Sequence, residues 1–191
     1  MRIIGGRYKG RIIFPARVLK ARPTTDFARE SLFNILNNRI DFESVTVLDL
    51  FSGTGCISFE FASRGSEVHL VEVDRQHFSG IKKTIKEIGF TNIKPIHIDV
   101  IRYLKTCTFA YDIIFADPPY NLQWLERIPE MVMGSGILKD DGIFILEHPR
   151  TISFSANKFF TEHRHYGGVN FSFFNPKKSG TVGSDCLSES G

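Results

Sequence analysis

The sequence predicts an α/β fold in which helices cover both faces of a mostly parallel sheet. Short apolar runs alternate with helical segments five times between residues 46 and 147, a pattern typical of parallel strands buried on both faces. The chain has 191 residues, which suits a single domain. Apolar residues make up 42% and charged residues 24%, and these values exclude a chain that is disordered or fibrous throughout.

The elements are predicted in the following order. Apolar residues at helical spacing, with Thr24, Thr25 or Asp26 available as N-cap, predict a first helix over residues 26–38. Strands are predicted over residues 46–50, 68–73, 93–98, 111–116 and 143–147. The helices between them are predicted over residues 57–63, 75–88, 100–105 and 123–133. Residues 159–166 and 169–174 flank Gly167 and Gly168, which predicts an antiparallel hairpin at the sheet edge.

The first 22 residues form a basic segment that contains no acidic residue. Its cations are Arg2, Arg7, Lys9, Arg11, Arg17, Lys20 and Arg22, whereas the rest of the chain holds 17 basic and 21 acidic residues. A basic segment on a mildly acidic body is typical of polyanion-binding proteins, although a solvated surface or a mitochondrial-type presequence has the same charge. Short β-prone runs around Gly5, Gly6 and Gly10 predict a small hairpin here.

These patterns divide the chain into a basic arm over 1–22, a main domain over 23–178 and a flexible Ser/Gly-rich tail over 179–191. Because the predicted sheet begins at residue 46, the main domain is expected to fold without residues 1–20. Cys56, Cys107 and Cys186 are widely spaced and predict no disulfide framework and no metal pair, which favours a reducing cytoplasm. No apolar run approaches the roughly 20 residues of a membrane-spanning helix.

A glycine loop follows the first strand of the alternation. Asp49-Leu50-Phe51-Ser52-Gly53-Thr54-Gly55 lies between a strand and a helix, at the strand end where open α/β sheets bind ligands. It matches neither the dinucleotide fingerprint nor a P-loop, so a pyrophosphate cradle is disfavoured, and an ordinary βα turn remains an alternative. Glu72 ends the next strand, where a carboxylate can accept both hydroxyls of a ribose; Asp74 competes with it, or caps the next helix.

Two further strand ends carry polar residues. Asp99 ends the third strand and is placed either to meet an adenine amino group or to cap a helix. Asp117-Pro118-Pro119-Tyr120 follows the fourth strand, and its two prolines remove two backbone donors while leaving carbonyl acceptors. Acceptors beside the flat ring of Tyr120 indicate a site for an exocyclic amino group on a planar heterocycle, and a simple strand terminator is the alternative. Glu147-His148 after the fifth strand is assigned a structural role, with a catalytic base as the alternative.

The glycine loop, Glu72 and the Asp117–Tyr120 turn, in this order and spacing, resemble the amino-group-modifying branch of class I S-adenosylmethionine-dependent methyltransferases. The motifs Arg2-Ile3-Ile4-Gly5-Gly6-Arg7-Tyr8-Lys9-Gly10-Arg11 and Arg22-Pro23-Thr24-Thr25-Asp26-Phe27-Ala28-Arg29-Glu30-Ser31-Leu32-Phe33-Asn34 resemble the bacterial RsmD family of 16S rRNA guanine-N2 methyltransferases. The resemblance covers about residues 1–178. It implies a Rossmann-like, mostly parallel seven-stranded sheet and methylation of one guanine in assembled or assembling small ribosomal subunits.

The resemblance also implies a role for individual residues. The cofactor-binding residues it implies are Asp49, Phe51, Gly53, Thr54, Gly55, Glu72 and Asp99. The residues implied to hold the target base are Asp117, Pro118, Pro119 and Tyr120. The residues implied to bind RNA are Arg2, Arg7, Lys9, Arg11, Arg22, Thr24 and Arg29. S-adenosylmethionine is the implied cofactor, no metal is required, and the protein is expected to act as a monomer.

Two other functions are compatible with parts of this pattern. An adenine-N6 methyltransferase uses the same Asp-Pro-Pro-Tyr chemistry, but the DNA enzymes carry a target-recognition insert for which this chain has no room. A non-catalytic RNA-binding module on a methyltransferase fold is the second alternative, and the intact glycine loop and Asp117–Tyr120 turn speak against it.

Overall fold

The structure, a computed structural model, describes residues 1–13 and 26–177. Its helices are α1 (Asp26–Asn37), α2 (Cys56–Ser63), α3 (Arg75–Ile88), α4 (Val100–Thr106) and α5 (Ile128–Gly134). Its strands are β1 (Thr46–Asp49), β2 (Glu67–Glu72), β3 (Ile93–His97), β4 (Tyr111–Ala116), β5 (Leu138–His148), β6 (Phe160–Tyr166) and β7 (Val169–Phe174). The predicted tail, and the arm's boundary at residue 22, lie outside the described residues.

The seven strands form one sheet in the order β3-β2-β1-β4-β5-β7-β6. The five strands from β3 to β5 are parallel, whereas β7 runs antiparallel to both β5 and β6. The strand order reverses between β1 and β4, and such a switch point opens a ligand-binding crevice at the carboxyl ends of the strands. The predicted seven-stranded, mostly parallel sheet with a C-terminal hairpin is confirmed.

Apolar side chains are buried on both faces of the sheet. One face packs with α1, α2 and α3 around Leu32, Phe61 and Ile81. The other face packs with α4 and α5 around Leu104 and Val132. Burial on both faces explains why the central strands are continuous apolar runs rather than alternating ones. No described helix is long and apolar enough to cross a membrane.

Some boundaries differ from the sequence-based predictions, for local reasons. The helix predicted over 123–133 is a 3₁₀ turn followed by α5, because Pro129 lacks an N–H and suits the first turn of a new helix. Strand β5 begins at Leu138 rather than residue 143, because Leu138 pairs with Tyr111 across a register shift. Pro95 is tolerated within β3 because β3 is an edge strand.

The beginning of the arm packs against helix α2. The predicted small hairpin is present: Arg2 and Ile12 form an antiparallel bridge, and backbone hydrogen bonds join Ile3 to Arg11 and Ile13 to Met1. The backbone N–H of Arg7 donates to the Ser63 carbonyl at 2.6 Å, and the N–H of Tyr8 donates to the Ser63 hydroxyl at 3.0 Å. Gly6 is required at this contact, because its φ is +73° and a Cβ would lie 1.9 Å from the Ser63 carbonyl oxygen.

The arm also contributes side chains to the core. Ile3 is fully buried and Ile13 is 4% exposed, and both belong to the core on the α1–α3 face. The backbone N–H of Ile4 donates to the buried carboxylate of Glu60 at 2.7 Å. Removing the arm would expose this core and leave Glu60 without that donor. Residues 1–13 thus pack as part of the domain, and folding of the main domain without residues 1–20 stays a prediction that this packing argues against.

Candidate active site

Four carboxylates lie side by side at the carboxyl ends of the parallel strands. In sheet order they are Glu72 on β2, Asp49 on β1, Asp117 after β4 and Glu147 on β5, and we call them the carboxylate row. Each member interacts electrostatically with its neighbour along the row. The sheet therefore places several negative charges at the switch point, where they favour a ligand that carries positive charge or several hydrogen-bond donors.

The glycine loop closes over one end of this row. Gly55 begins α2 with φ +81°, and a Cβ there would lie 2.7 Å from the ring of Phe59, so only glycine fits. The N–H of Gly53 donates to Glu72 Oε2 at 2.7 Å, and the N–H of Asp74 donates to Glu72 Oε1 at 2.7 Å. Glu72 thus holds both the loop and the turn after β2, and its oxygens can still accept further bonds.

Asp49 lies at the centre of the row and is almost completely buried. Its Oδ2 accepts a hydrogen bond from the Ser58 hydroxyl at 2.6 Å, whereas its Oδ1 has no hydrogen-bond partner. Burial raises the pKa of Asp49 to about 7, helped by the negative charges of Asp117 and Glu72 and opposed by the Ser58 hydrogen bond. A cationic donor placed at Oδ1 would supply the missing partner and favour the ionised form.

The Asp117–Tyr120 turn forms the other half of the site. Burial, with the negative charge of Glu147, raises the pKa of Asp117 well above its usual range. The Tyr120 hydroxyl donates to Glu147 Oε1 at 3.2 Å, which holds the ring beside the carboxylates. The Pro119 carbonyl accepts from Leu122 N–H, and neither proline has an N–H to donate. The turn therefore places a buried carboxylate and an aromatic ring next to Glu147 at the carboxyl ends of the strands.

Glu147, which the sequence analysis left as structural with a catalytic base as the alternative, lies in the carboxylate row. It is 4% exposed, contacts Tyr120 and raises the pKa of Asp117, although it was assigned a structural role. The sequence pattern could have identified it, because Glu147 ends a parallel strand as Glu72 does. His148 is the next residue of β5, so its side chain lies on the opposite face of the sheet from that of Glu147. There its Nε2 bonds the Ser172 hydroxyl at 2.8 Å, and this contact fits the structural role assigned to it.

The remaining cofactor-binding predictions concern residues next to the row. The ring of Phe51 lies 6.0 Å from that of Trp124, so the glycine loop contacts the segment after the Asp117–Tyr120 turn. Thr54 borders a cavity of about 530 Å³ between Ile13 and the first turns of α3. None of the four carboxylates lines this cavity, whereas the charge and the unpartnered oxygen lie at the row.

Two aspartates near the row act as helix caps. Asp74 Oδ1 accepts the N–H groups of Gln76 and His77 at 2.9 and 2.8 Å, at the start of α3. Asp99 Oδ1 accepts the N–H of Arg102 at 3.1 Å, at the start of α4. Capping is the alternative that the sequence left open for both residues, and the adenine contact of Asp99 stays a prediction.

The predicted RNA-binding residues fall into three groups. Arg2, Arg7, Lys9 and Arg11 are exposed, whereas Arg22 and Thr24 lie outside the described residues. Arg29 is only 2% exposed, and its guanidinium donates to Asp26 Oδ1 at 2.7 Å and to the Arg2 carbonyl at 2.9 Å. This burial argues against an RNA contact by Arg29, and we correct its role to a structural one that joins α1 to the arm.

The chain is similar in sequence to proteins of one family. A family model described as Conserved hypothetical protein 95 matches residues 1–175. The chain belongs to this family. The predicted membership in the RsmD family is confirmed, because a relative from Buchnera aphidicola subsp. Baizongia pistaciae, named Ribosomal RNA small subunit methyltransferase D, is 30% identical over 80% of this chain and 78% of its own length.

Solved structures show where the family's fold recurs. A putative methyltransferase from Escherichia coli superposes with a TM-score of 0.78 at 28% identity, covering 91% of this chain and 96% of that one. A Thermus thermophilus 16S rRNA N2 G1207 methyltransferase, in complex with AdoMet and guanosine, superposes with a TM-score of 0.66 at 22% identity, covering 82% and 44%. At that identity the second likeness shows the fold alone. The predicted Rossmann-like methyltransferase fold is confirmed.

Proposed function

We propose that this RsmD-family protein transfers a methyl group from S-adenosylmethionine to the exocyclic N2 amino group of a guanine in small-subunit rRNA. The observation that carries the proposal is the position of the Asp117–Tyr120 turn and Glu147 beside the glycine loop, on one edge of a methyltransferase sheet. The name of the Buchnera relative supports the substrate class.

The carboxylate row suits this cofactor because S-adenosylmethionine carries an ammonium and a sulfonium charge. Asp49, Gly53 and Gly55 would hold its methionine part, with the unpartnered Oδ1 of Asp49 facing a cationic donor. Glu72 would accept from the ribose hydroxyls and Asp99 from the adenine, with Phe51 and Thr54 lining the loop. The bound cofactor supplies an electrophilic methyl group, so the residues' task is alignment, and no metal is needed.

The other half of the site suits a guanine better than an adenine. Guanine presents two neighbouring donors, N1–H and N2–H, whereas adenine presents the donor N6–H beside the acceptor N1. Asp117 and Glu147 offer neighbouring carboxylates, which match two donors and would face the adenine N1 lone pair unfavourably. Pro118 would provide a further carbonyl acceptor, with Pro119 shaping the turn.

The residues of this turn also explain how the amino nitrogen becomes reactive. Acceptors at Asp117 and Pro118 hold its N–H bonds, favour a pyramidal nitrogen and direct its lone pair toward the cofactor. When the nitrogen gains a methyl group it must lose a proton, and the raised pKa of Asp117 makes its carboxylate a suitable acceptor. The ring of Tyr120 would stack on the base, which must leave its helix to enter.

The arm would provide the electrostatic contact with rRNA. Its exposed cations Arg2, Arg7, Lys9 and Arg11 lie in or beside the segment that is hydrogen-bonded to α2, so their backbone is held at a defined position on the domain. Arg22 and Thr24 stay predicted RNA contacts. The proposed partner is the assembled or assembling small subunit, and the proposed functional unit is the monomer.

The test uses radiolabelled S-adenosylmethionine with small subunits from cells lacking this gene, with free rRNA and DNA as parallel substrates. We expect N2-methylguanosine in the nucleoside digest of the rRNA. We expect Asp117→Ala to abolish transfer and to leave cofactor affinity within a few-fold, while the exposed Asp140→Ala control behaves as wild type. N6-methyladenosine would support the adenine enzyme instead, and absence of cofactor binding in calorimetry would support the non-catalytic module.

A further inference from the structure

Phe27 is exposed in a way that the packing of its helix does not explain. The buried stripe of α1 is formed by Ala28, Arg29, Leu32, Phe33 and Leu36. Phe27 lies beside this stripe, in the first turn of α1, and its side chain is 62% exposed. A large aromatic ring left in solvent by an otherwise well-packed helix indicates a surface that binds a ligand or partner.

The ring of Phe27 lies at the end of the sheet that carries the candidate active site, where the parallel strands have their carboxyl ends. Strand β6 pairs antiparallel with β7, which pairs antiparallel with β5, so β6 runs in the same direction as β5. Tyr166, the last residue of β6, therefore lies at the same end of the sheet as Glu147, the last residue but one of β5. The rings of Phe27 and Tyr166 make an edge-to-face contact, with centroids 6.2 Å apart and planes at 76°.

Tyr166 is in turn supported from the core. Its ring lies 6.4 Å from that of Phe171, which is fully buried and lies 6.5 Å from that of Phe115. Phe171 is paired with Glu147 in the sheet, and β6 is the next strand beyond it. Two strand spacings, about 10 Å, therefore separate Glu147 from the strand that carries Tyr166.

A cationic segment lies against the same end of α1. The Arg29 guanidinium bonds both Asp26, which precedes Phe27, and the carbonyl of Arg2, whose side chain is exposed. Exposed aromatic rings beside exposed cations are the combination that binds single-stranded nucleic acid, with the rings stacking on bases and the cations contacting phosphates. The surface thus has the chemistry of an RNA-binding platform, not that of a protein-docking patch.

We propose that Phe27, supported by Tyr166, stacks on a base that neighbours the target nucleotide. This inference rests on the proposed function, because it requires a flipped target base near Tyr120. When one base leaves its helix, its neighbours lose a stacking partner, and the ring of Phe27, in contact with the strand that lies two spacings from Glu147, offers a replacement. Phe27 would then bind the RNA and help to hold the target base, while taking no part in methyl transfer.

The experiment compares four variants in binding to unmodified small subunits across a salt series. We expect Phe27→Ala and Phe27→Leu to weaken binding by about 5- to 150-fold, the range for loss of one base–aromatic stack, and Phe27→Tyr to restore it. The slope of affinity against salt should not change, because no charge is removed. Phe109→Ala is the matched control. Phe109 is 48% exposed and precedes β4, so it lies at the opposite end of the sheet, where the parallel strands begin.

Three results separate this inference from the proposed function. Unchanged binding and methylation by Phe27→Ala, with active wild type, would overturn the platform alone. Wild-type-like binding by Phe27→Leu would overturn stacking and indicate an apolar contact, such as a protein of the subunit. A wild-type protein that neither binds nor methylates rRNA would overturn both proposals. Melting temperature and calorimetric titration with S-adenosylmethionine are measured for every variant, and both should match wild type.

Discussion

Replacing Asp49 by asparagine is expected to relieve the folded protein of a buried charge and to weaken cofactor binding at the same time. Asp49 is nearly inaccessible, and one of its oxygens has no partner until a ligand arrives. Asp49→Asn keeps the size of the side chain and an oxygen that can accept from Ser58. It removes the negative charge that the sulfonium or ammonium group of the cofactor is proposed to meet.

The effect of Asp49→Asn on the free energy of unfolding depends on pH. The pKa of Asp49 is raised from 3.8 to about 7 in the folded state, so between these values the folded state binds more protons than the unfolded state. The free energy of unfolding therefore falls as pH rises through this range, by about 1.4 kcal/mol per unit. Between pH 5 and pH 8 the wild type loses about 3 kcal/mol through Asp49, and Asp49→Asn does not.

The quantity to measure is the change in unfolding free energy between pH 5 and pH 8, in the wild type and in Asp49→Asn. The amide N–H of asparagine would be left without an acceptor at the position of Oδ1, which costs about 1–3 kcal/mol at either pH. This cost is the same at both pH values, so it cancels when urea unfolding of the cofactor-free protein at pH 5 is compared with unfolding at pH 8. Asp140→Asn is the matched control, because Asp140 is exposed on β5. Calorimetric titration at pH 8 should show cofactor affinity about 10- to 100-fold weaker in Asp49→Asn.

Two results would refute this reasoning separately. A stability difference between wild type and Asp49→Asn that is the same at pH 5 and pH 8 would mean that burial does not raise the pKa of Asp49. Unchanged cofactor affinity would mean that the unpartnered oxygen does not face the cofactor's cation, and the methionine part would have to be held elsewhere on the row.

Three further changes test the cofactor half of the site, the arm cations and the docking of the arm. Glu72→Ala should weaken S-adenosylmethionine by about 10- to 100-fold in calorimetry and also lower the melting temperature, because the loop and the turn after β2 lose their acceptor. Arg7→Ala with Lys9→Ala should reduce the salt slope of rRNA binding by about 0.7–0.9 per lost phosphate contact and leave cofactor affinity unchanged. Ile3→Ala should lower the free energy of unfolding by about 2–5 kcal/mol, because Ile3 is fully buried. The control Ile12→Ala, at a position 61% exposed in the same segment, should change it by less than about 0.5 kcal/mol. Equal effects of the two variants would show that the arm is not packed as described.

The sequence alone was sufficient to predict the sheet and to group most residues of the candidate site at one end of it, because both depend on local patterns. Continuous apolar runs separated by helices specify parallel strands, and the ends of parallel strands meet on one edge. This rule places Asp49, Glu72 and the Asp117–Tyr120 turn together without any knowledge of contacts. The glycine of the loop is likewise local, because the positive φ of Gly55 restricts the residue type.

What only the tertiary structure decided is which polar and aromatic groups are buried and what they meet. Arg29 resembles a surface cation in the sequence, yet α1 and the arm enclose it. Glu60 meets the Ile4 N–H across 56 residues of chain, and that contact makes the arm part of the domain. Burial and charge interactions depend on neighbours from distant parts of the chain, so a local pattern does not determine them.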